Sequence, residues 1–432
     1  MSDRRRRVAI TGIGLVTPVG TGVVETWQSL VDARSGVAPI TLFDASGFPV
    51  RIAAEVKGDA YLNLTGHRRV TKAAGRAHLF ALAAAEEAMR DAGIRPEPAH
   101  AHRWGCAVGT GMVSVPYDEL EALQREATRD GELDTDLLLD SWIGSDPIAF
   151  CRSQAAQGVS LLAQRYGIEG YTTSVHTACA SGGQAVGTGL KLIRRGDCDW
   201  VLAGGFDSMI SPLGLSGFCL LNAVSDDNDS PQQASRPFDA TRNGFVLGEG
   251  AGFLVLEEWE TALKRGATIY SELAGEGNSL SSYRITDSHP SGDGPIQAMQ
   301  QALECARLRP DEVDYLNAHG TSTPMNDRSE AAAAHVVFGD HVANVAVSST
   351  KSTMGHLIAA AGAVEAAVCA LALHHRTIPI NANLNQRDPE CDLNFVCGQA
   401  IKRDLHVAMS NSLGFGGSNS CLVFRRAEDD HR

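Results

Sequence analysis

Tyr171-Thr-Thr-Ser-Val-His-Thr-Ala-Cys-Ala-Ser-Gly-Gly-Gln184 decides how the chain is read. Tyr171 to Val175, mostly β-branched and aromatic, suit a strand. Small residues follow from Ala178 to Gly183, with Cys179 among them. Ala185, Val186, Leu190, Leu192 and Ile193 then recur at the spacing of a mostly buried helix. Arg194 and Arg195 occupy its last turn and Gly196 is the stop. Cys179 therefore belongs to a strand-to-helix turn, at or near a helix N-terminus. Unpaired N–H groups and the helix dipole favour negative charge there, so a stabilised thiolate, the nucleophilic form, is expected. The small neighbours leave room for an acyl group. Taken alone, the same cysteine reads equally well as a small packed residue.

The bulk composition bounds the alternatives. The 432 residues are 44% hydrophobic and 20% charged, enough for a large core in two domains or one doubled one. The net charge of −14 disfavours generic nucleic-acid binding. Ten irregularly spaced cysteines show no metal-type pair, and fit a reduced cytoplasmic protein without disulfides. No transmembrane span is expected: the apolar run Leu357 to Leu373 carries Glu365 and reads as a buried helix. Arg4 to Arg7 followed by Val8-Ala-Ile-Thr-Gly-Ile-Gly14 reads as the basic start of a first strand, not an export signal.

Gly12-Ile-Gly14 lacks the third glycine of a dinucleotide loop, position 17 being Thr, and Pro18 interrupts the expected helix. His67, Arg68, Arg69, Lys72 and Arg76 form a basic stretch on an acidic chain, a candidate dock for an acidic partner. Tyr117 to Gln164 reads as a helical insertion or cap. After the Cys179 unit, Trp200-Val-Leu-Ala-Gly-Gly205 reads as a further strand, and this alternation of strand, helix, strand implies a parallel sheet with crossover helices. From Ile269 onward the order of elements repeats that of the first half, without visible repetition of residues. His319 ends a strand in Asn317-Ala-His-Gly-Thr-Ser-Thr-Pro324, and His356 opens a helix in Lys351-Ser-Thr-Met-Gly-His-Leu357. Gly414-Phe-Gly-Gly417 exposes backbone N–H groups. Strand C-termini of a parallel sheet face one crevice, where such residues can converge. His67, His289, His335, His374 and His375 have no comparable glycine-rich setting.

With Thr177-Ala-Cys-Ala-Ser-Gly182, Asn317 to Pro324, Ser349-Thr-Lys-Ser-Thr-Met-Gly-His-Leu357 and Asn411-Ser-Leu-Gly-Phe-Gly-Gly-Ser-Asn419 in order, the chain resembles the β-ketoacyl-acyl carrier protein synthases of the elongating I/II class. Arg236-Pro-Phe-Asp239 and Gly244-Phe-Val-Leu-Gly-Glu-Gly250 extend the likeness over nearly the whole chain. The resemblance implies an α/β, thiolase-like fold: two similar halves packed as a layered αβαβα sandwich. The halves would be 1–262, with the nucleophile and cap insertions, and 263–432, with the histidines. Cys179 would carry the acyl chain as a thioester, and its N–H and that of Phe415 would form the oxyanion hole. His319 and His356 would promote decarboxylation of a malonyl thioester and stabilise the enolate for a Claisen condensation. Lys351, paired with Glu330 as a supporting residue, would polarise the site, and Phe415 would gate the extender.

No cofactor or metal is implied. The implied partner is acyl carrier protein, acyl- and malonyl-loaded, docked through Arg68, Arg69 and Lys72. A homodimer is implied, or a heterodimer with a chain-length partner in a type II polyketide or polyene pathway. Met112, His176 and Phe218 are acyl-pocket candidates; His176 stands where relatives are small and apolar, and could tune the thiolate, line the pocket or simply pack. Asn222 and Ser281 replace residues that are often Arg and Asp. A thiolase would need a second catalytic-type cysteine motif, and a non-catalytic partner subunit would lack Cys179.

Overall fold

A computed structural model describes residues 5–65, 72–111, 117–143, 147–284 and 289–427. Ten strands build its main sheet: β1 (Val8–Thr17), β2 (Trp104–Thr110), β3 (Thr172–Val175), β4 (Trp200–Ser208), β5 (Glu249–Glu258), β6 (Ser271–Leu280), β7 (Tyr315–Asn317), β8 (Ala346–Ser348), β9 (Val407–Leu413) and β10 (Ser418–Arg426). The short strand Gly20–Thr21 pairs with the end of β1. Five helices position the site: α1 (Arg76–Ala92), α2 (Ser181–Arg195), α3 (Asp293–Ala306), α4 (Pro324–Phe338) and α5 (Ala361–His375).

The strand order is β8-β7-β9-β10-β6-β1-β5-β4-β2-β3. Each half follows one plan. In the first, β2 lies parallel to β3 and β4, and β4, β5 and β1 continue antiparallel. In the second, β7 lies parallel to β8 and β9, and β9, β10 and β6 continue antiparallel. The halves meet where β1 pairs β6 through only Ala9–Glu272 and Ile10–Ser271. This narrow junction lets the sheet divide into two layers. Helices α2 and α5 touch strands of both halves, whereas α1 packs on β1 and β5 and α3 on β6 and β10. The result is the αβαβα sandwich.

The repetition reaches individual residues, contrary to the sequence reading. Both β1 and β6 shift register just before a Gly-x-Gly: at Ile10/Gly12 and at Leu273/Gly275. A Cβ on Gly14 would lie 1.9 Å from the Ala84 carbonyl of α1, and one on Gly277 would lie 2.1 Å from the Ala298 carbonyl of α3. These glycines admit an alanine-lined helix onto the strand. That contact, not a phosphate, explains Gly12-Ile-Gly14.

All residues from Ala361 to Leu373 of α5 are buried, as expected of a helix apolar on every face. Among the described residues, Ile358–His375 is the one helical stretch long and apolar enough to cross a membrane, and 89% of it is buried inside the fold. The segment after β2 is helical as expected: Tyr117–Glu126, Thr135–Ile143, Pro147–Arg152 and Gln157–Tyr166, with a small hairpin, Thr128–Arg129 against Glu132–Leu133. Helices Tyr117–Glu126 and Thr135–Ile143 bury no residue, and Leu139, Trp142 and Ile143 are exposed.

Candidate active site

Cys179 stands in a single tight turn, Ala178–Ala180, that opens α2. Ala178 has φ 49°, a left-handed conformation that costs an alanine about 1–2 kcal/mol. Ser181 holds the turn: its Oγ accepts the Thr177 N–H at 2.9 Å and donates to the Ala178 carbonyl at 2.6 Å. The second half repeats the device before α5, where Ile358 also has φ 49° and opens the turn Ile358–Ala360. His356 lies just ahead of it. Its N–H donates to the Val246 carbonyl, and its carbonyl accepts the Gly248 N–H. His319 follows β7. Glu330 of α4 accepts the backbone N–H groups of His319 and Gly320, each at 2.8 Å, and the Asn411 amide at 3.0 Å.

The three side chains converge. His356 Nε2 is 3.0 Å from Cys179 Sγ, and the His319 and His356 rings stand edge to face, 5.2 Å between centroids. Phe245 packs edge-on against the other side of His356, at 5.2 Å. All three functional side chains are buried, with 1–3% exposure. They line a cavity of ≈ 270 Å³ with Thr321, Thr323, Asn326 and Phe415. The Phe415 N–H, and less strongly the Cys179 N–H, favours the charged form of the sulfur. A Cβ on Gly414 would lie 2.7 Å from the Thr177 carbonyl, so only glycine lets the 414–417 loop sit this close to the nucleophile turn.

One hydrogen bond assigns the tautomer of His356. The Ile358 N–H donates to His356 Nδ1 at 3.2 Å, so Nδ1 carries the lone pair and Nε2 the hydrogen. The imidazole therefore offers an N–H toward Cys179 and the cavity. Cys179, His319 and His356 place their ligand-type atoms within 4.8 Å of one another. With Nε2 protonated, however, His356 has no lone pair to give a cation there, so the cluster does not fit a metal centre.

The electrostatics correct the expected thiolate. Burial pushes the Cys179 thiol up to about 12, against the smaller stabilising pull of the Phe415 N–H and the Lys351 ammonium group. The helix N-terminus does not offset the loss of water, so the resting nucleophile is a thiol. Burial, then the Lys351 charge, holds His356 well below the ordinary imidazole range; burial, Lys351 and His356 do the same to His319. Both rings are neutral.

Lys351 is paired with Glu365 of α5, not with Glu330. Glu330 is spent on three N–H donors, whereas Glu365 faces Lys351 from the core, both side chains 2% exposed. Burial pushes the Glu365 carboxyl up to about 7. The signal was in the sequence: Glu365 is the only charge in an apolar helix, and a buried acid needs a partner.

The family models for the β-ketoacyl synthase N-terminal domain and C-terminal domain match residues 5–262 and 270–385. The chain is 40% identical to 3-oxoacyl-[acyl-carrier-protein] synthase 2 from Coxiella burnetii, over 98% of this chain and 100% of that one. It belongs to the β-ketoacyl synthase family. Among solved structures, the ishigamide ketosynthase/chain length factor superposes on this synthase with a TM-score of 0.87 at 34% identity, covering 98% of this chain and 100% of that one. A type II polyketide ketosynthase, solved in complex with its acyl-carrier protein and bound to the hexaketide, gives a TM-score of 0.87 at 31% identity, with 98% and 100% coverage.

The remaining residues singled out by sequence fall in different places. Phe218 is buried against Phe245 and faces Phe415, ring centroids 5.3 and 6.4 Å away, so it backs the cavity wall without lining it. His176 is exposed, bonds Ser174 Oγ at 3.1 Å, and neither lines the cavity nor reaches the thiol. Asn222 lines the cavity mouth, while Ser281 donates its N–H to the Gly417 carbonyl of the loop behind Phe415. Lys72 is exposed; Met112, Arg68 and Arg69 lie outside the described residues. Sequence reasoning assigned no role to Phe245, although it lies in the quoted Gly244 to Gly250 motif, and passed over Asp207 and the Ile358 N–H, which have no distinctive residue pattern.

Proposed function

We propose that this synthase condenses carrier-bound acyl chains with malonyl-carrier protein, lengthening them by two carbons. The observation that carries the reading is the pairing of Cys179 with an N–H-bearing His356 at 3.0 Å, with neutral His319 beside it. Cys179 Sγ attacks the acyl thioester of the carrier. Charge on the thioester oxygen is taken up by the N–H groups of Cys179 and Phe415, the carrier C–S bond breaks, and the carrier thiol leaves with the proton the cysteine gives up. Such preorganised donors are worth roughly 3–4 kcal/mol each.

The malonyl carbonyl oxygen then occupies the space between the two imidazoles. Loss of the carboxyl group leaves the electron pair as an enolate. His356 stabilises it through Nε2–H, a task suited to neutral rings and not to a base. The enolate carbon attacks the Cys179 thioester, the C–S bond breaks, a 3-oxoacyl carrier thioester departs, and the Cys179 thiolate takes a proton from solvent to return to the resting thiol. Burial, with help from the Lys351 charge, keeps both rings neutral, Glu330 fixes the His319 backbone, and Phe415 admits the extender after acylation.

Acyl carrier protein is the partner, met by Arg68, Arg69 and Lys72 on an otherwise acidic surface; charge reversal there should raise the KM for carrier-bound substrate. The chain works in the reducing cytoplasm, which its ten free cysteines fit. It divides into halves 1–262 and 263–432, and pairs as a homodimer through surfaces such as the exposed Leu139, Trp142 and Ile143. A second reading, a heterodimer with a chain-length partner, draws support from the likeness to the ishigamide ketosynthase/chain length factor.

The test is incubation with acyl- and malonyl-carrier protein, with mass spectrometry of Cys179 and of product. An acyl adduct and a chain two carbons longer are expected, both absent in Cys179→Ala. Condensation surviving in that variant would overturn the reading. Product length that changes only on co-expression with a partner subunit would favour the heterodimer.

A further inference from the structure

Asp207, near the end of β4, is a buried acid that the condensation itself does not use; burial pushes its carboxyl up to about 7, against the Ala359 and Ser208 N–H groups that favour the charged form. It is 4% exposed, and its hydrogen bonds run to the backbone: Oδ1 accepts the Ser208 N–H at 2.9 Å and Oδ2 accepts the Ala359 N–H at 3.1 Å. Gly111 makes room for it, since a Cβ there would lie 2.2 Å from Oδ2. Ala359 directly follows Ile358, a β-branched residue at φ 49°, which is a strained position for that side chain. Two successive N–H groups of this one turn thus have separate duties. Ile358 donates to His356 Nδ1, and Ala359 donates to Asp207.

Strained backbone persists only where its surroundings over-determine it. Ile358 left free would relax toward a negative φ, rotating its N–H away from Nδ1. His356 could then carry its hydrogen on either nitrogen. The Asp207 acceptor opposes that relaxation, because a buried Ala359 N–H without a partner costs about 1–3 kcal/mol. The equivalent turn at Ala178 in the first half has its own clamp, Ser181.

We infer that Asp207 is a positioning residue: its carboxylate holds the turn Ile358–Ala360 in the left-handed conformation that locks His356 as the Nε2–H tautomer facing Cys179. The inference rests on the condensing role of His356.

The test compares the full-length enzyme with Asp207→Asn, which keeps the shape but offers one acceptor where two are used. Two partial reactions are read separately: transfer of an acyl chain to Cys179, and decarboxylation of malonyl-carrier protein. Asp207→Asn should lower the decarboxylation turnover about 10- to 100-fold, the scale of a misaimed oxyanion donor, with KM within about twofold and acyl transfer within about threefold. The 15N spectrum of labelled histidine in the substrate-free protein should show the His356 Nδ1 losing its unprotonated signature. Ile358→Gly supplies the second arm, since glycine adopts positive φ without strain. In that background, adding Asp207→Asn should cost much less.

A folded Asp207→Asn enzyme with unchanged tautomer and unchanged decarboxylation would overturn the inference, as would an equal cost in both backgrounds. If Asp207→Asn alone does not fold, an active double variant supports the brace and an unfolded one overturns it. Failure of the wild-type enzyme to condense would count against the function itself, while the histidine spectrum reads the brace without substrate.

Discussion

Replacing His356 by Gln and by Ala separates the two ways an imidazole beside a thiol can act. The 3.0 Å contact to Cys179 Sγ runs through Nε2, and the 3.2 Å bond from the Ile358 N–H occupies Nδ1. A neutral ring has one hydrogen, so Nε2 is a donor and has no capacity to take the thiol proton. Glutamine places an N–H-bearing nitrogen as many bonds from Cβ as Nε2 and cannot act as a base. Alanine places nothing there. Loss of one preorganised donor costs about 2.7–4 kcal/mol, or about 10²- to 10³-fold, so His356→Ala should lose that much decarboxylation turnover. His356→Gln should retain most of the stabilisation and lose about tenfold.

The assay is carbon dioxide release from malonyl-carrier protein at saturating substrate, with acylation of Cys179 followed in parallel by mass. Acylation should change little in either variant. Neither imidazole should contribute an inflection near pH 6.5, because burial and Lys351 hold both well below that value; any step near 7 belongs to a buried acid such as Glu365 and should persist in the Gln variant. Equal inactivity of the Gln and Ala variants, or a wild-type inflection near pH 6.5 that the Gln variant abolishes, would refute the donor argument and restore a base.

Three further outcomes follow from the packing and the charges. Gly14→Ala and Gly277→Ala should each destabilise by about 1–3 kcal/mol or more, because each new Cβ meets a helix carbonyl at 1.9 or 2.1 Å; unchanged denaturation midpoints would contradict the paired docking of α1 and α3. Lys351→Met should cost about 3–5 kcal/mol of stability by leaving the buried Glu365 unpaired, and Lys351→Met with Glu365→Leu should recover most of it in the same denaturant titration. His78 is buried against Phe206, and burial lowers its imidazole to about 4 from an ordinary 6.5, so the unfolded chain binds the extra proton between those values. Stability is therefore lost as pH falls from 6.5 toward 4, by about 3 kcal/mol, and His78→Leu should flatten that decline in denaturant midpoints taken across the window.

Much was legible before any coordinates. The strand-to-helix turn around Cys179, the strand-end His319 and the glycine loop at Phe415 are local patterns, because small residues and punctuating glycines dictate backbone shape within a few positions. The αβαβα plan came from the resemblance that the family motifs carry; the order of elements alone gave only a repeated alternation of strands and helices. What the tertiary structure decided were quantities that depend on partners distant in sequence. The ionisation of Cys179 turned on burial, which outweighs a helix terminus once water is excluded. The partner of Lys351 turned on which of two buried acids still had free oxygens. The glycines of β1 found their reason only when an alanine helix some seventy residues away came to rest on them. The tautomer of His356 was set by a neighbouring N–H whose direction depends on a strained φ, a property no residue type announces.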